Sequence, residues 1–451
     1  MRDPLPYLLG LAVFVLVAGW IAAVYLTAAP DQRLVDLEVY RDAGTSVLTG
    51  RPVYDWLTAS PQLLPFTYPP ISAIFAMPLA FAPLQQVGWL WTAMQLVLLL
   101  GVVAVAYRPL TRRFGRWGPV AVGAIAGLLL WELPLRDGIR FGQVDIVIVA
   151  LCLADYLVRS PRWPRGLLIG IATAIKLTPG VFIVHLWLSG RRREAATAAT
   201  TAIGLTAAAF LLIPADSGDF WLRALFEPER LGANANTSNQ SLRGMLLRLG
   251  WEHELIWLPL VALVAWYGFR VAIRASRYGN ELAAIAVVGL LAVLLSPVAW
   301  IHHLAWIAIV LAVIVGDATN RRRVAIAIAV WALFYLKIPW WGAGLYRDGL
   351  PLLLTQPLQD SFGLIAIALL VLIGRLVDAS APARGAAAPT RAGVAPTRAG
   401  VAPTRAGVAA THPSARAAPA ALPGQGQPGG LGSGDDREQR EQATSKPAHG
   451  R

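Results

Sequence analysis

Long apolar blocks separated by short polar segments dominate the chain from residue 7 to residue 377. The blocks are residues 7–29, 87–107, 118–134, 142–158, 167–188, 195–213, 254–272, 282–315, 324–338 and 361–377. A bilayer core about 30 Å thick needs about 20 apolar residues for each crossing helix. The pattern therefore predicts an all-α polytopic membrane protein with about 10–13 transmembrane or membrane-embedded helices.

Three apolar segments contain residues that interrupt a helix. Block 282–315 is too long for one crossing and has a Ser-Pro pair at 296–297, so we expect two short helices that meet there. Block 167–188 carries Lys176 and a proline near its middle, which favours two half-helices that return to the cytoplasmic side. Segment 66–83 contains four prolines and is expected to be broken and partly inserted.

The composition excludes a soluble enzyme with an ordinary core. Hydrophobic residues make up 56% of the 451 residues and charged residues only 14%, whereas soluble domains average about 45–50% and about 25%. The net charge of +13 comes mostly from arginines in short clusters between apolar blocks. That distribution is typical of membrane topology and not of a nucleic-acid-binding face. The single cysteine, Cys152, excludes a disulfide framework.

The arginine clusters predict the orientation of the chain in the plasma membrane. Short arginine-rich loops stay cytoplasmic, and such clusters lie at 108–116, 159–165, 191–193, 270–277 and 321–323. The first block is too long for the apolar region of a typical signal peptide and is expected to remain as an uncleaved helix. Both termini are then cytoplasmic, and the opposite loops, 30–65, 135–141, 214–253 and 339–360, face the extracytoplasmic side.

Residues 379–451 are expected to form a disordered cytoplasmic tail that follows a membrane domain at 1–378. The tail is rich in Ala, Pro, Gly and Arg, and it repeats Ala-Pro-Thr-Arg-Ala-Gly-Val at 388–394, 395–401 and 402–408. Such a composition cannot bury an apolar core.

The first outer loop supplies a candidate general base. Asp36 follows the first helix at the outer surface, with Glu38 and Asp42 as neighbouring alternatives and Tyr40 between them. A carboxylate there can accept a proton from an alcohol when it is held within about 2.6–3.2 Å of it. A solvated loop acid is the alternative interpretation.

Four further polar residues lie within apolar segments or at their ends. Tyr68 precedes a Pro-Pro pair and is either a membrane-belt tyrosine or part of a substrate wall. Gln143 suits sugar hydroxyls, and Asp145 is placed either for chemistry or for capping the amino terminus of a helix. Lys176 lies inside an apolar block and needs an anionic partner or a phosphate.

Two later segments indicate contacts with a sugar phosphate. Asn239, Gln240 and Arg243 lie in the second large outer loop, where amides and a cation suit such a ligand unless the loop is simply polar. His302 and His303 fall where two short helices meet, and they suit either a leaving phosphate or hydrogen bonding between helices. We expect no metal, because adjacent side chains diverge by about 100° on a helix and no third ligand is offered nearby.

The chain resembles glycosyltransferase family 87, of the polytopic GT-C class, over roughly residues 7–378. The resemblance rests on ordered segments, namely DLEVY at 36–40, FTYPP at 66–70, GQVD at 142–145, AIKLTP at 174–179, NQS at 239–241 and SPVAWIHH at 296–303. The last segment departs from the family in having Ala299 where a serine is expected before Trp300. The Arg- and Ala-rich composition is similar to that of a high-GC actinobacterium.

This resemblance implies an integral membrane enzyme that takes a sugar from a polyprenyl phosphate on the outer face of the plasma membrane. Asp36 is then the expected catalytic base, and His302 or His303 the expected contact to the donor phosphate or a partner in catalysis. The substrate-binding residues that we expect beside them are Glu38, Tyr40, Tyr68, Gln143, Asp145, Lys176, Asn239, Gln240, Arg243 and Trp300. No cofactor is implied.

The resemblance also implies the reaction. Many family members are α-mannosyltransferases that use polyprenyl-phosphate mannose to extend phosphatidylinositol mannosides or related glycans. We therefore expect an inverting mannosyltransferase that forms an α-(1→2) linkage on a lipid-linked or cell-envelope glycan. An arabinofuranosyltransferase is the nearest alternative. A polytopic lipid or sugar transporter and a non-catalytic scaffold are alternatives of other classes, but the two related halves common in transporters are not found in this sequence.

Overall fold

The computed structural model describes residues 3–29, 32–158, 160–251 and 253–380. Over these ranges the backbone is helical, and its only β pairings are two isolated bridges, Leu57 with Pro65 and Asn239 with Trp300. The all-α prediction is confirmed. The predicted tail lies outside the described residues beyond Ser380.

The first half of the described chain contains α1 (Leu5–Leu26), α2 (Val35–Thr49), α3 (Pro70–Ala76), α4 (Leu84–Ala106), α5 (Arg108–Thr111), α6 (Gly118–Leu129), α7 (Leu133–Phe141), α8 (Asp145–Leu157), α9 (Leu167–Ile175) and α10 (Gly180–Leu188). The second half contains α11 (Arg192–Leu212), α12 (Pro214–Leu222), α13 (Leu242–Arg248), α14 (Glu254–Arg277), α15 (Glu281–Leu294), α16 (Ile307–Val315), α17 (Arg321–Tyr335), α18 (Ile338–Arg347), α19 (Leu352–Gln359) and α20 (Ser361–Ala379).

Within the described residues, five helices are long and apolar enough to cross a bilayer: α1, α4, α11, α14 and α20. Two bent pairs raise the number of candidate spans to seven, namely α5–α6 with α7, bent by 80°, and α17 with α18, bent by 42°. Large apolar side chains on these helices point outward, such as Leu16 at 75% and Leu211 at 85% exposure. Extended apolar surface of this kind requires a lipid environment. The prediction of a multi-pass membrane protein is confirmed.

The expected helix breaks occur where the sequence places them. Block 167–188 forms α9 and α10, which are separated by Lys176 in an extended conformation. Block 282–315 ends its first helix at Leu294 and resumes with a 3-10 turn, Ile301–Trp306, that leads into α16. Segment 66–83 contains α3 and a 3-10 turn, Met77–Phe81. Proline has no backbone N–H to donate, and each of these breaks contains one or borders on one.

The expectation that residues 30–65 form only a loop is wrong, because residues 35–49 form α2. Leu37, Tyr40 and Gly44 are buried at helical spacing against neighbouring elements. Asp36 and Glu38 lie in the first turn of α2, where the helix dipole favours negative charge. The carboxylate of Asp36 is therefore mounted on a helix and not on a flexible loop.

The core is centred on α15 and α16, with every residue from Ala283 to Leu294 buried. These helices pack against α8, α14 and α20. The helices α1 and α6 approach so closely that a Cβ on Gly123 would overlap the Gly10 carbonyl oxygen. Close helix approach through small residues is typical of membrane bundles.

A buried ion pair fixes residues 236–248. The Arg248 guanidinium donates to Asp360 at 2.6 Å, to the Asn236 carbonyl at 2.6 Å and to the Asn239 carbonyl at 2.8 Å. The Asn239 side-chain oxygen then accepts from the Ala299 backbone N–H at 2.9 Å. This clamp, formed by Arg248, Asp360 and Asn239, fixes the backbone immediately before His302 and His303.

We expect Asp360→Ala to lower the free energy of unfolding by about 3–5 kcal/mol, because it leaves the Arg248 charge buried without its anion. The matched control is Asp378→Ala, since Asp378 pairs with Arg274 at 3.2 Å but is 52% exposed. An exposed pair contributes about 0–1 kcal/mol. Unfolding in mixed micelles measures both variants, and equal losses would contradict the clamp.

Candidate active site

A cavity of about 1370 Å³ lies where the ends of several helices meet. Eight of the residues singled out from the sequence line it: Asp36, Tyr68, Gln143, Lys176, Arg243, Trp300, His302 and His303. Asp145 lies in a small adjoining recess together with Gln143 and His302. The structure thus brings together residues that are up to 267 positions apart in the chain.

The start of α2 is held against the end of α7, and this places Asp36 in the cavity. Leu34 adopts a left-handed conformation, with φ 53°, and its N–H donates to the Arg140 carbonyl at 2.7 Å. Gly142 has φ +73°, and a Cβ there would lie 2.6 Å from the Leu37 Cβ. Only glycine permits both that conformation and that approach.

Burial raises the pKa of the Asp36 carboxyl to about 6. The Gln143 side chain hydrogen bonds to this carboxyl and Lys176 attracts it, and both lower the pKa, whereas Asp145 raises it. A carboxylate with a pKa just below neutral is mostly ionised at pH 7, yet it is more basic than an exposed aspartate. That balance suits a general base.

Two tyrosines orient the Gln143 amide. The Tyr40 hydroxyl donates to Gln143 Oε1 at 3.0 Å, and the Tyr68 hydroxyl lies 3.3 Å from the same oxygen and 2.9 Å from the Tyr40 hydroxyl. The rings meet edge to face, with centroids 5.1 Å apart. With Oε1 engaged by the phenols, the amide nitrogen is the group left to face Asp36. Tyr40 itself is buried behind the cavity wall.

A buried ion pair lies beside the histidines. Lys176 Nζ is 2.8 Å from Asp145 Oδ1, and His302 Nε2 is 4.0 Å from Asp145 Oδ2. The rings of His302 and His303 are 4.7 Å apart and nearly perpendicular. Asp145 Oδ2 and His302 Nε2 are buried and make no hydrogen bond within the described residues. The cavity therefore contains polar groups with unused bonding capacity next to a cation.

Known proteins resemble this chain along most of its length. Residues 66–297 match the profile of glycosyltransferase family 87. A polyprenol-phosphate-mannose-dependent alpha-(1-2)-phosphatidylinositol mannoside mannosyltransferase of Mycolicibacterium smegmatis is 31% identical over 387 residues, which cover 78% of this chain and 86% of that protein. The chain belongs to glycosyltransferase family 87.

Further relatives of this glycosyltransferase carry similar names. A Mycobacterium tuberculosis protein with the same name as the first relative is 31% identical over 68% of this chain and 75% of its own length. A pentamannoside mannosyltransferase of Mycobacterium tuberculosis is 32% identical over 72% of this chain and 76% of its own length. No solved structure matches the chain significantly. The prediction of an enzyme is confirmed, and the transporter alternative loses its support.

The argument that no third metal ligand lies nearby is wrong, because the fold brings Asp145 to the histidine pair. Ligand atoms of Asp145, His302 and His303 lie within 4.8 Å of one another. The same Asp145 carboxylate is already paired with the Lys176 ammonium, whose charge repels a second cation at this distance. The expectation that the glycosyltransferase uses no metal stays a prediction.

Five of the expected substrate-binding residues are not part of the cavity lining. Tyr40 lies behind the wall and Asp145 in the adjoining recess, and Glu38, Asn239 and Gln240 lie elsewhere. Glu38 is partly exposed on α2, outside the cavity lining. Asn239 and Gln240 are fully buried, and Gln240 Nε2 donates to the carbonyls of Thr237 at 2.6 Å and Gln359 at 2.8 Å. Amides in a polar segment satisfy backbone groups as readily as they satisfy a ligand.

The cavity also contains charged residues that the sequence analysis missed. Arg136, Asp137 and Arg140 on α7 line it, as does Lys337 between α17 and α18. Residues 135–141 were expected to be an outer loop, but they are helical because their apolar residues, including Leu135 and Ile139, are buried at helical spacing. The spacing of Arg136 and Arg140, four residues apart, was the signal that could have placed both on one face.

The electrostatics predict a pH dependence with a definite sign. A base must be deprotonated, so we expect kcat/KM to rise with pH through about 6 and to level off above it. Lys176→Gln removes a charge that lowers the pKa of Asp36, so its ascending limb moves to higher pH. Arg322→Gln, an exposed change at the far end of α17, is the control. A limb that stays in place in Lys176→Gln contradicts the coupling.

Proposed function

We propose that this glycosyltransferase moves mannose from polyprenyl-phosphate mannose to a phosphatidylinositol mannoside or a related envelope glycan. The donor and the acceptor are those in the names of the relatives. The observation that carries the proposal is the placement of Asp36, Lys176 and the two histidines around one cavity. A base and a phosphate-binding group on opposite sides of a sugar are what the transfer needs.

The apolar lining of the cavity suits a lipid-borne donor. Leu177, Val181 and Val184 run along the start of α10, and Ala292 and Leu295 lie at the end of α15, which packs against α10. Leu177 and Val184 are 38% and 45% exposed. Apolar side chains exposed toward lipid beside a polar cavity let a polyprenyl chain stay in the membrane while its sugar enters the site.

The proposed reaction is a single displacement. Asp36 takes the proton of an acceptor hydroxyl, and the hydroxyl oxygen bonds to the anomeric carbon of mannose. The bond from that carbon to the phosphate oxygen breaks, and the phosphate leaves with the electron pair. Lys176 and His303 stabilise the charge on the leaving phosphate. A β-linked donor then gives an α product, for which we propose the (1→2) linkage printed in the names of the relatives.

Three helices support an extracytoplasmic site. Each of α10, α15 and α17 has its arginines at or just beyond one end and cavity-lining residues at the other. For α17 these are Arg321 to Arg323 at its start and Lys337 just past its end. Arginine-rich ends stay cytoplasmic. The proposed cavity therefore opens on the outer face of the plasma membrane, with the amino terminus inside.

We expect Asp36→Asn to lower kcat by about 10²–10⁴, because the amide cannot accept the proton. Donor binding is expected to persist, since the substitution is nearly isosteric. Asp42→Asn is the matched control, because Asp42 lies on the same helix but outside the cavity lining. Radiolabelled transfer in proteoliposomes measures kcat, and near-normal turnover by Asp36→Asn would remove Asp36 as the base.

The donor is tested by supplying polyprenyl-phosphate mannose and polyprenyl-phosphate arabinose separately to the purified protein with phosphatidylinositol mannoside. We expect mannosyl transfer only, with an α-(1→2) linkage in the product by linkage analysis. Arabinose transfer would establish the alternative. Sugar movement across the bilayer without bond formation would refute the proposal.

We also expect transfer to survive exhaustive dialysis against EDTA with kcat unchanged. The reason is that the Lys176 ammonium supplies the positive charge beside Asp145 that a metal would otherwise supply. Activity lost in EDTA and restored by Mg²⁺ or Mn²⁺ would instead establish Asp145, His302 and His303 as a metal site.

A further inference from the structure

Besides Arg230 and Arg243, the cavity lining contains two groups of cationic side chains. Lys176 belongs to the first group, next to Asp36 and Asp145. Arg136, Arg140 and Lys337 form the second, which we call the basic edge. The three cations of the basic edge all influence one carboxyl, that of the buried Asp137. The basic edge therefore carries net positive charge.

The two groups lie on different elements, because Lys176 is in the break between α9 and α10, whereas Arg136 and Arg140 are on α7. The Phe141 ring at the end of α7 meets the His302 ring, with centroids 6.1 Å apart. Arg136 precedes Phe141 by five residues, which is about 7.5 Å along a helix axis. The charged groups acting on Asp36 are Lys176 and Asp145, whereas those acting on Asp137 are the three cations of the basic edge. Arg136 is thus displaced along α7 from the residue that meets His302, whereas Arg140 directly precedes that residue.

The basic edge has hydrogen-bonding capacity to spare. The Nη2 of Arg136 is buried and has no partner within the described residues. Arg140 and Arg136 are four residues apart and so lie on one face of α7. Lys337 is exposed and reaches the same cavity from the bend between α17 and α18. A buried guanidinium nitrogen without a partner is costly, and an anionic ligand removes that cost.

The basic edge also lies where two candidate spans bend. Arg136 and Arg140 are on the second half of the pair bent by 80°, and Lys337 is at the break of the pair bent by 42°. Trp340, 40% exposed, lines the cavity three residues after Lys337, and Tyr25 lines it from the end of α1. Exposed tryptophan and tyrosine with cationic side chains are typical of the level of lipid headgroups.

We propose that the basic edge, through Arg136, Arg140 and Lys337, binds the phosphodiester of a glycolipid acceptor. This inference rests on the proposed function for the identity of the acceptor. The donor has one phosphate, which must adjoin the anomeric carbon beside Asp36, so it cannot also occupy the basic edge. In a phosphatidylinositol mannoside the phosphate is separated from the attacking hydroxyl by sugar and inositol rings. When the attacking hydroxyl lies at Asp36, the phosphate of the acceptor lies some distance from this base, as the basic edge does.

The test compares two acceptors in the full-length protein: a phosphatidylinositol mannoside and octyl α-mannoside, which has no phosphate. In Arg136→Gln and in Arg136→Gln/Lys337→Gln we expect the KM for the phosphatidylinositol mannoside to rise about tenfold or more, as the loss of a charge-assisted hydrogen bond implies. The KM for octyl α-mannoside and the KM for the donor are expected to stay unchanged. Arg136→Lys is expected to restore part of the affinity.

Arg322→Gln is the charge-matched control, because Arg322 is exposed at the opposite end of α17 from Lys337. Thermal unfolding of each variant identifies any that fail to fold, and Lys337→Gln alone, at an exposed position, then replaces them. Equal losses with both acceptors, a raised KM for the donor, or unchanged kinetics would overturn the inference.

Equilibrium binding separates this inference from the proposed function. Binding of fluorescent phosphatidylinositol mannoside is measured without a donor, so it needs no turnover. A wild-type protein that binds this lipid more tightly than Arg136→Gln but does not transfer mannose would support the basic edge and refute the proposed function. A protein that transfers mannose while both proteins bind the lipid equally would do the reverse.

Discussion

The ion pair between Lys176 and Asp145 is the interaction on which the rest of the site depends. Burying an unpaired ammonium or carboxylate costs free energy, and each of these two groups offsets that cost for the other. Their contact joins the break between α9 and α10 to the amino terminus of α8. The pair also sets the charge around Asp36 and around His302. One salt bridge thus holds these helices together and also sets the electrostatics of the site.

The cavity also depends on helices that are interrupted within the bundle. Non-helical backbone at membrane depth is tolerated only where protein or water satisfies it. The breaks at 176–179 and 295–300 both line the cavity, and the second is tied to Asn239, whose side-chain oxygen accepts from Ala299. The Arg248 clamp thereby supports the histidines from outside the site. Residues that do not touch the substrate in this arrangement still position the ones that do.

Much of the fold followed from hydropathy because bilayer thickness fixes the length of apolar blocks, and proline fixes where they break. The sequence could place Asp36 after α1, but it could not show that α2 is a helix, because the apolar face of α2 alternates with charged residues such as Arg41 and Asp42. The sequence also could not predict the long-range ion pairs, such as Lys176 with Asp145 and Arg248 with Asp360. Such pairs depend on how α-helices pack, and the spacing of residues in the sequence does not show that packing.

The same physics explains why Asp36 is suited to a site that receives a phosphate. Lys176 lowers the pKa of Asp36, while burial and the charge of Asp145 raise it. In the proposed reaction a donor phosphate adds negative charge beside Lys176 and offsets part of its attraction for the carboxylate. Negative charge near a carboxylate raises its pKa, so the base becomes stronger when the donor is bound. In the proposed reaction the charge of Lys176 therefore links the binding of the donor to deprotonation of the acceptor.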